Sequence, residues 1–116
     1  MSRERKVTES DILLNRGLTK YDMQSYTEAI ENFNNITEDE LKAHKHNNLG
    51  ASYFQLGLFD EAYKEYIEAI KTDSQLAQAY YNLAVFNIKE RKYEHAHRML
   101  DNCLKIDKNF KPARIP

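Results

Sequence analysis

The feature that most constrains this chain is an internal repeat with spacings of 33 and then 34 residues. Three series of residues follow these spacings in one register. The series are Ala29, Ala62 and Ala96; Tyr26, Phe59 and Tyr93; and Asn15, Asn48 and Asn82. A fixed period of this length is typical of solenoid proteins, in which one supersecondary unit is stacked several times. The repeat therefore predicts three similar units within the 116 residues.

Each unit has the pattern of a helical hairpin. In the central unit one face of a helix is formed by residues at i, i+3, i+4 and i+7. These residues are His46, Leu49, Gly50 and Tyr53. The low content of glycine and proline, three and two residues, also favours an all-helical chain. We predict helices over residues 10–23, 27–36, 38–56, 60–71, 75–90 and 93–106.

Local signals indicate where these helices begin and end. Gly57 is expected to end the first helix of the central unit in a left-handed conformation. Three capping signals are expected to begin helices. They are Asp60 alone, Thr37 with Glu40, and Thr72 with Gln75.

Gly50 lies in the interior of a predicted helix, where glycine costs about 1 kcal/mol relative to alanine. Its presence there indicates that something approaches the backbone closely. We expect Gly50 to face Ala62, and Gly17 to face Ala29, across the two helices of a hairpin. A larger side chain at either glycine is then expected to separate the pair.

Charge and composition exclude several functional classes. The 17 basic and 18 acidic residues nearly cancel, so we expect neither nucleic acid nor an acidic membrane surface as a main partner. No segment approaches 18 consecutive apolar residues and no signal peptide is evident, so we expect no membrane insertion and a cytoplasmic protein. The single cysteine, Cys103, is expected to be a small buried side chain.

The repeated residues resemble the tetratricopeptide repeat family over about residues 10–110. The central unit matches six of the family's signature positions, and Asn87 replaces a signature tyrosine in the third unit. The six matches are Leu49, Gly50, Tyr53, Ala62, Tyr66 and Ala69. This resemblance implies an all-α solenoid, a right-handed superhelix of three repeats at about 10–42, 43–76 and 77–110. Residues 1–9 are then a flexible N-terminal segment, and 111–116 a tail or the start of a truncated capping helix.

Neither metal chemistry nor catalysis is predicted. His44 with His46, and His95 with His97, are two residues apart, so on a helix they point about 200° apart and cannot share an ion. Nothing places a nucleophile, a base and an acid together, and no phosphate-binding loop is present. We therefore expect a protein that is not an enzyme and that has no cofactor and no metal.

In the tetratricopeptide repeat family, the first helix of each unit lines a concave groove that binds peptides. By resemblance, we expect a protein or peptide partner here and a groove of mainly apolar and amide side chains. These are Leu14, Asn15, Leu18 and Tyr21 in the first unit; His44, Asn47, Asn48, Ala51, Phe54 and Gln55 in the second; and Gln78, Tyr81, Asn82, Val85, Ile88 and Lys89 in the third.

The composition of this groove bears on the kind of ligand. Family members that clamp the carboxylates of chaperone tails use lysine, asparagine and arginine at five positions, and here only Asn48 matches. Without a cation we expect no such clamp. Those positions are Leu14, Leu18, Asn48, Gln78 and Asn82. The asparagine series instead resembles the ladder of O-GlcNAc transferase, whose amides bind peptide backbone. An alternative is that these amides only cap neighbouring helices.

Two other uses of the surface remain open. One is self-association as a homo-oligomer through the C-terminal hairpin, by Tyr93, Leu100, Leu104 and Phe110. The other is that the chain is a fragment of a larger repeat protein in a secretion or chaperone assembly. Our main prediction is an interaction scaffold or adaptor that binds a peptide-like segment in the groove.

Overall fold

The computed structural model describes residues 5–112 and contains six α-helices within them. The helices are α1 (Glu9–Asp22), α2 (Tyr26–Asn34), α3 (Lys42–Gln55), α4 (Phe59–Thr72), α5 (Ala77–Lys89) and α6 (Tyr93–Ile106). Residues 5–112 contain no β-strand, so the predicted all-α fold is confirmed. Most of the predicted tail, 111–116, and the start of the N-terminal segment lie outside the described residues.

The helices form three hairpins, α1–α2, α3–α4 and α5–α6, which stack in order along the chain. The first helices of the hairpins form an inner layer, because α3 contacts both α1 and α5. Two clusters fill the interior. One lies between the first hairpin and α3, around Phe33, and the other between the second and third hairpins, around Tyr66 and Phe86. Cys103 is a buried free thiol, as predicted.

The glycines in the helix interiors make room for aromatic rings rather than for a second small residue. A Cβ atom at Gly50 would lie 2.6 Å from Cδ1 of Tyr66, and one at Gly17 would lie 2.6 Å from Cδ1 of Phe33. Ala62 and Ala29, the residues expected opposite the two glycines, are fully buried, but the atoms nearest to a Cβ at each glycine belong to the ring of Tyr66 or Phe33. The close approach is real, but it is a ring that fills the space above each glycine.

The three hairpin turns share one backbone conformation. Gly57 has φ of 77°, which confirms the predicted left-handed residue at the end of α3. Gln24 and Arg91 occupy the same repeat position in the other turns, with φ of 62° and 60°. The turn geometry therefore repeats even where the residue is not glycine.

Five of the six helices begin within two residues of the predicted start, and α6 begins at residue 93 as predicted, but the side-chain caps expected to begin α3, α4 and α5 were wrong. Backbone hydrogen bonds rather than side-chain caps set where α4 begins. After Gly57 the amide of Leu58 donates to the carbonyl of Tyr53 at 2.9 Å, which returns the chain directly into α4. This helix begins at Phe59, so Asp60 lies inside its first turn.

The two expected capping boxes do not form either. A 3₁₀ helix, Asp39–Leu41, precedes α3, so Thr37 with Glu40 does not begin that helix. Thr72 belongs to the last turn of α4, and Asp73 rather than Thr72 accepts a hydrogen bond from the backbone of Gln75, at 2.9 Å.

A capping box that was not predicted begins α1. The Thr8 hydroxyl accepts from the amide of Asp11 at 3.1 Å, and the Asp11 carboxylate accepts from the amide of Thr8 at 2.8 Å. Arg5 donates to both Asp11 oxygens at 2.8 Å and also pairs with Glu38. The hydrogen bonds from Arg5 and from the Thr8 amide hold the pKa of Asp11 below its usual value. These contacts attach residues 5–8, part of the segment expected to be flexible, to the first hairpin.

Candidate peptide-binding surface

The surface predicted to bind a peptide lies on the sides of α1, α3 and α5 that face away from their hairpin partners. We call it the inner face. In α3, Gly50 faces Tyr66 of α4, and Asn48 is two residues away, so its side chain points about 200° from that contact. The same reasoning places Asn15 and Asn82 on the inner sides of α1 and α5.

The predicted groove residues divide by exposure. Those that are exposed or half-buried are Leu14, Asn15, Leu18, His44, Phe54, Gln55, Gln78, Tyr81, Val85, Ile88 and Lys89. Those that are buried are Tyr21, Asn47, Asn48, Ala51 and Asn82. The buried members form the floor of the inner face rather than its open surface.

Tyr21 and Ala51 belong to the hydrophobic core beneath this floor. The ring of Tyr21 packs edge-on against Tyr26, with centroids 5.2 Å apart. Burial raises the pKa of Tyr21 to about 12, partly offset by the nearby Gln55 amide. Tyr21 and Ala51 were predicted to contact a bound peptide, but both side chains are buried beneath the surface.

Asn82 ties the second and third units together. It is 1% exposed, and its amide nitrogen donates to Oδ1 of Asn47 at 2.8 Å. Its carbonyl oxygen accepts from the Gln78 amide at 3.0 Å. The predicted ladder is therefore not a row of three free amides, because Asn82 is used inside the fold, between α3 and α5.

Asn48 differs from Asn82 although it holds the same repeat position. It is 7% exposed, and its side-chain amide makes no hydrogen bond within residues 5–112. Asn15 is exposed and its amide donates to the backbone carbonyl of Asp11, one turn earlier in α1, at 3.2 Å. Of the three asparagines, Asn48 is the one that combines deep burial with an unused amide.

Three predicted groove residues turn toward other parts of the protein. The Phe54 ring packs against Phe59, with centroids 5.5 Å apart. The Lys89 ammonium lies 5.5 Å from the centroid of the same Phe59 ring. Tyr81 is covered in part by Phe110, with ring centroids 5.5 Å apart.

The histidines do not converge on one another. Nδ1 of His46 lies 2.7 Å from Oε2 of Glu65, which joins α3 to α4. His97 lies 3.5 Å from Asp101 on α6, whereas His44 is exposed on α3. In the described part of the chain there is no cluster of three or more histidine, cysteine or acidic side chains that could hold a metal ion.

Sequence reasoning missed a cavity of about 510 Å³ between α4 and the turn that joins α5 to α6. Its lining includes Asn87, the residue that stands where a signature tyrosine is expected. That replacement was visible in the sequence, and it is the signal from which an empty space could have been predicted.

No helix of residues 5–112 is long and apolar enough to span a lipid bilayer. The chain also gives no significant match among curated protein sequences. Two sequence profiles do match it. One, described as TPR repeat, matches residues 50–87, and one described as tetratricopeptide repeat matches residues 77–110.

The solved structures that are similar in fold include the following three. MamA is 22% identical with a TM-score of 0.75, over 87% of this chain and 60% of that chain. The Arabidopsis OM64 TPR domain is 17% identical with a TM-score of 0.79, over 89% of this chain and 86% of that one. The second TPR of Spaghetti (RPAP3), bound to the HSP90 peptide SRMEEVD, is 21% identical with a TM-score of 0.75, over 86% of this chain and 94% of that one.

This chain thus spans less than two thirds of the length of the MamA chain. At these identities the likeness concerns the fold, and a repeat fold alone does not specify a biological process. The two profile matches cover residues 50–110 without a gap, in the units where the signature residues are densest. The protein belongs to the tetratricopeptide repeat family and is a protein–protein interaction module.

Proposed function

We propose that the inner face binds an extended or helical segment of a partner protein. The observation that carries this proposal is Asn48, a residue that is 7% exposed and whose side-chain amide has no hydrogen-bond partner in the described residues. A peptide backbone offers both a donor and an acceptor, so it would satisfy this amide whatever its sequence.

Specificity would come from apolar side chains on α1 and α5, the two first helices that contact α3. Leu14 and Leu18 are half-buried on α1, Val85 is half-buried on α5, and Ile88 is 49% exposed. Few charges lie among the predicted groove residues. We therefore propose a partner segment with apolar anchor residues, contacted by Asn48 and Asn15, whereas Asn82 holds α5 against α3.

An acidic peptide is a poor match for this surface. The Spaghetti domain was solved with the peptide SRMEEVD, which carries two glutamates and an aspartate. The positions that would supply cations here hold uncharged side chains, and two of them, Gln78 and Asn82, are bonded to each other. Without a cation, the cost of removing a carboxylate from water is not offset.

A second candidate function is self-association through the third hairpin. Asn47 and Ala51 on α3 are buried, and Asn47 accepts a hydrogen bond from Asn82 of α5. The same repeat positions on α5 hold Tyr81 and Val85, which are only half-buried, and Leu104 on α6 is 51% exposed. Light scattering between micromolar and millimolar concentration tests this use, and a constant monomer mass would exclude it.

We also infer a non-catalytic protein of the cytoplasm. The inner face offers amide and apolar groups, which suit recognition of a polypeptide rather than proton transfer or nucleophilic attack. The cytoplasmic location remains a prediction from the sequence.

The binding proposal is tested by selecting linear peptides against the protein from a random library and measuring their affinity. Asn48→Ala is expected to weaken binding about three- to tenfold, the value of one hydrogen bond, and Ile88→Ala by a comparable factor. Leu58→Ala is the matched control, because Leu58 is 44% exposed but precedes α4 outside the inner face. If all three variants bind like the wild type, the peptide site lies elsewhere.

A further inference from the structure

The cavity between α4 and the α5–α6 turn has aromatic walls and lies outside the inner face. Its volume is about 510 Å³, within the range of roughly 300–1,000 Å³ typical of ligand sites. Phe59, Tyr63 and Phe86 line it, and the ring centroids of Tyr63 and Phe86 are 5.6 Å apart. Tyr63 is 46% exposed, so the cavity is open to solvent along one wall.

Asn87 supplies a polar group inside this aromatic setting. The residue is 6% exposed and lines the cavity. Its backbone carbonyl accepts from the amide of Lys92 at 2.8 Å, but its side-chain amide makes no hydrogen bond within residues 5–112. A donor and an acceptor of Asn87 therefore remain available in the lining of the cavity.

The preceding hairpin shows what normally fills this space. Tyr53 lies 34 residues before Asn87, at the same repeat position. Its ring packs against both core clusters, and its hydroxyl lies near the Asn34 side chain of α2. A phenol of the chain itself thus closes the gap between the first and second hairpins. Between the second and third hairpins, Asn87 is too short to do so.

We propose that this cavity, the Asn87 cavity, binds an aromatic side chain with a hydrogen-bonding group, of the tyrosine type, presented by a partner polypeptide. The ring packs against Phe59, Tyr63 and Phe86, and its hydroxyl bonds to the Asn87 amide. The partner's phenol would then fill the space between the second and third hairpins, as the phenol of Tyr53 fills the space between the first and second.

The charges at the rim favour a neutral occupant. Besides Asn87 and His95, the lining includes two acidic side chains, Asp60 and Glu90, and two basic ones, Lys64 and Lys92. Their formal charges cancel, so neither an anion nor a cation gains from the rim as a whole. A phenol is uncharged at neutral pH because its pKa is about 10.

The test uses p-cresol and toluene as side-chain probes in NMR titrations that follow backbone and asparagine side-chain amides. We expect p-cresol to shift the Asn87 side-chain amide and the backbone amide of Phe86, and to bind about three- to tenfold more tightly than toluene. A blocked tripeptide, acetyl-Gly-Tyr-Gly-amide, should compete with p-cresol. Equal binding of the two probes, or no competition by the tripeptide, would overturn the proposal.

Two variants keep the test independent of folding defects. Asn87→Tyr restores the signature residue and should remove p-cresol binding with helicity retained, whereas Asn87→Leu should leave p-cresol and toluene equally bound. Arg16→Ala, exposed on α1 and outside both the predicted groove and the cavity, is the control that should bind as the wild type. Full p-cresol binding in Asn87→Tyr would contradict the proposal, as would concentration-dependent shifts at the cavity without any probe, which indicate a second copy.

Discussion

The first two hairpins and the third solve the same packing problem with different pairs of side chains. In α1 and α3 a glycine, Gly17 or Gly50, leaves room for the ring of Phe33 or Tyr66. In α5 the corresponding residue is Ala84, and the position of the ring is taken by Leu100. The volume lost on one helix is thus gained on the other. Gly50 in α3 is therefore one half of a packing pair, and the ring of Tyr66 is the other half. The helix propensity lost at the glycine is offset by the packing of that ring.

The largest expected effect comes from filling the space above Gly50. Gly50→Leu should lower the free energy of unfolding by about 1–3 kcal/mol, because a Cβ atom there would already lie 2.6 Å from the Tyr66 ring. His44→Leu, at an exposed position on the same helix, is the control. Urea denaturation measures both, and an unchanged midpoint for Gly50→Leu would refute the packing described here.

A double-mutant cycle transfers the pair of the third hairpin into the second. Gly50→Ala alone should destabilise through its contact with the ring, and Tyr66→Leu alone should leave a void. Combined, they reproduce the pair Ala84 and Leu100, so we expect a favourable coupling energy of about 0.5–3 kcal/mol. Strictly additive effects in urea denaturation would mean that the two positions do not compensate each other.

Ionisation of buried tyrosines should make the stability of the first two hairpins depend on alkaline pH. Burial raises the pKa of Tyr66 above its usual value and that of Tyr21 to about 12, whereas Leu100 in the third hairpin has nothing to ionise. A raised pKa in the folded state means that this stability is fully present below about pH 10, the unfolded value, and is lost as the pH rises toward 12.

Thermal unfolding at pH 8, 10 and 11 measures this loss. Tyr66→Leu in the Gly50→Ala background should lose less stability over that range than the wild type does. An identical alkaline decline in both proteins would show that Tyr66 does not contribute to it.

The smallest expected effects are in the turns. Gln24→Gly and Arg91→Gly should each stabilise by a few tenths to about 1 kcal/mol, because both residues hold a positive φ that favours glycine. Gly57→Ala should destabilise through the backbone alone, since a Cβ atom there would meet no atom within 4 Å. Melting temperatures measure all three, and a stabilising Gly57→Ala would contradict the assigned conformation.

Much of the fold could be predicted because the signals are local and repeated. The period of the chain gave the three hairpins, and Gly57 gave the conformation of a turn. Helix starts were less predictable. Asp60 and Thr72 have the right chemistry for caps, but backbone hydrogen bonds in the turns decide where the chain becomes helical.

The candidate site was harder to predict, because its details depend on residues far apart in sequence. Asn82 was expected to face a ligand, but it bonds to Asn47, 35 residues earlier. Phe54 was expected in the groove, but its ring lies against Phe59 and Phe86. Repeat position fixes the side of the helix from which a residue projects. It does not determine which neighbouring side chain that residue contacts.

The most direct test of a binding inner face is an NMR titration of the protein with a library-selected peptide. We predict that chemical-shift changes concentrate on α1, α3 and α5, with Asn48 and Ile88 among the most affected residues and with the Asn48 side-chain amide shifted on binding. Changes confined to the outer sides of α2, α4 and α6 would contradict this account.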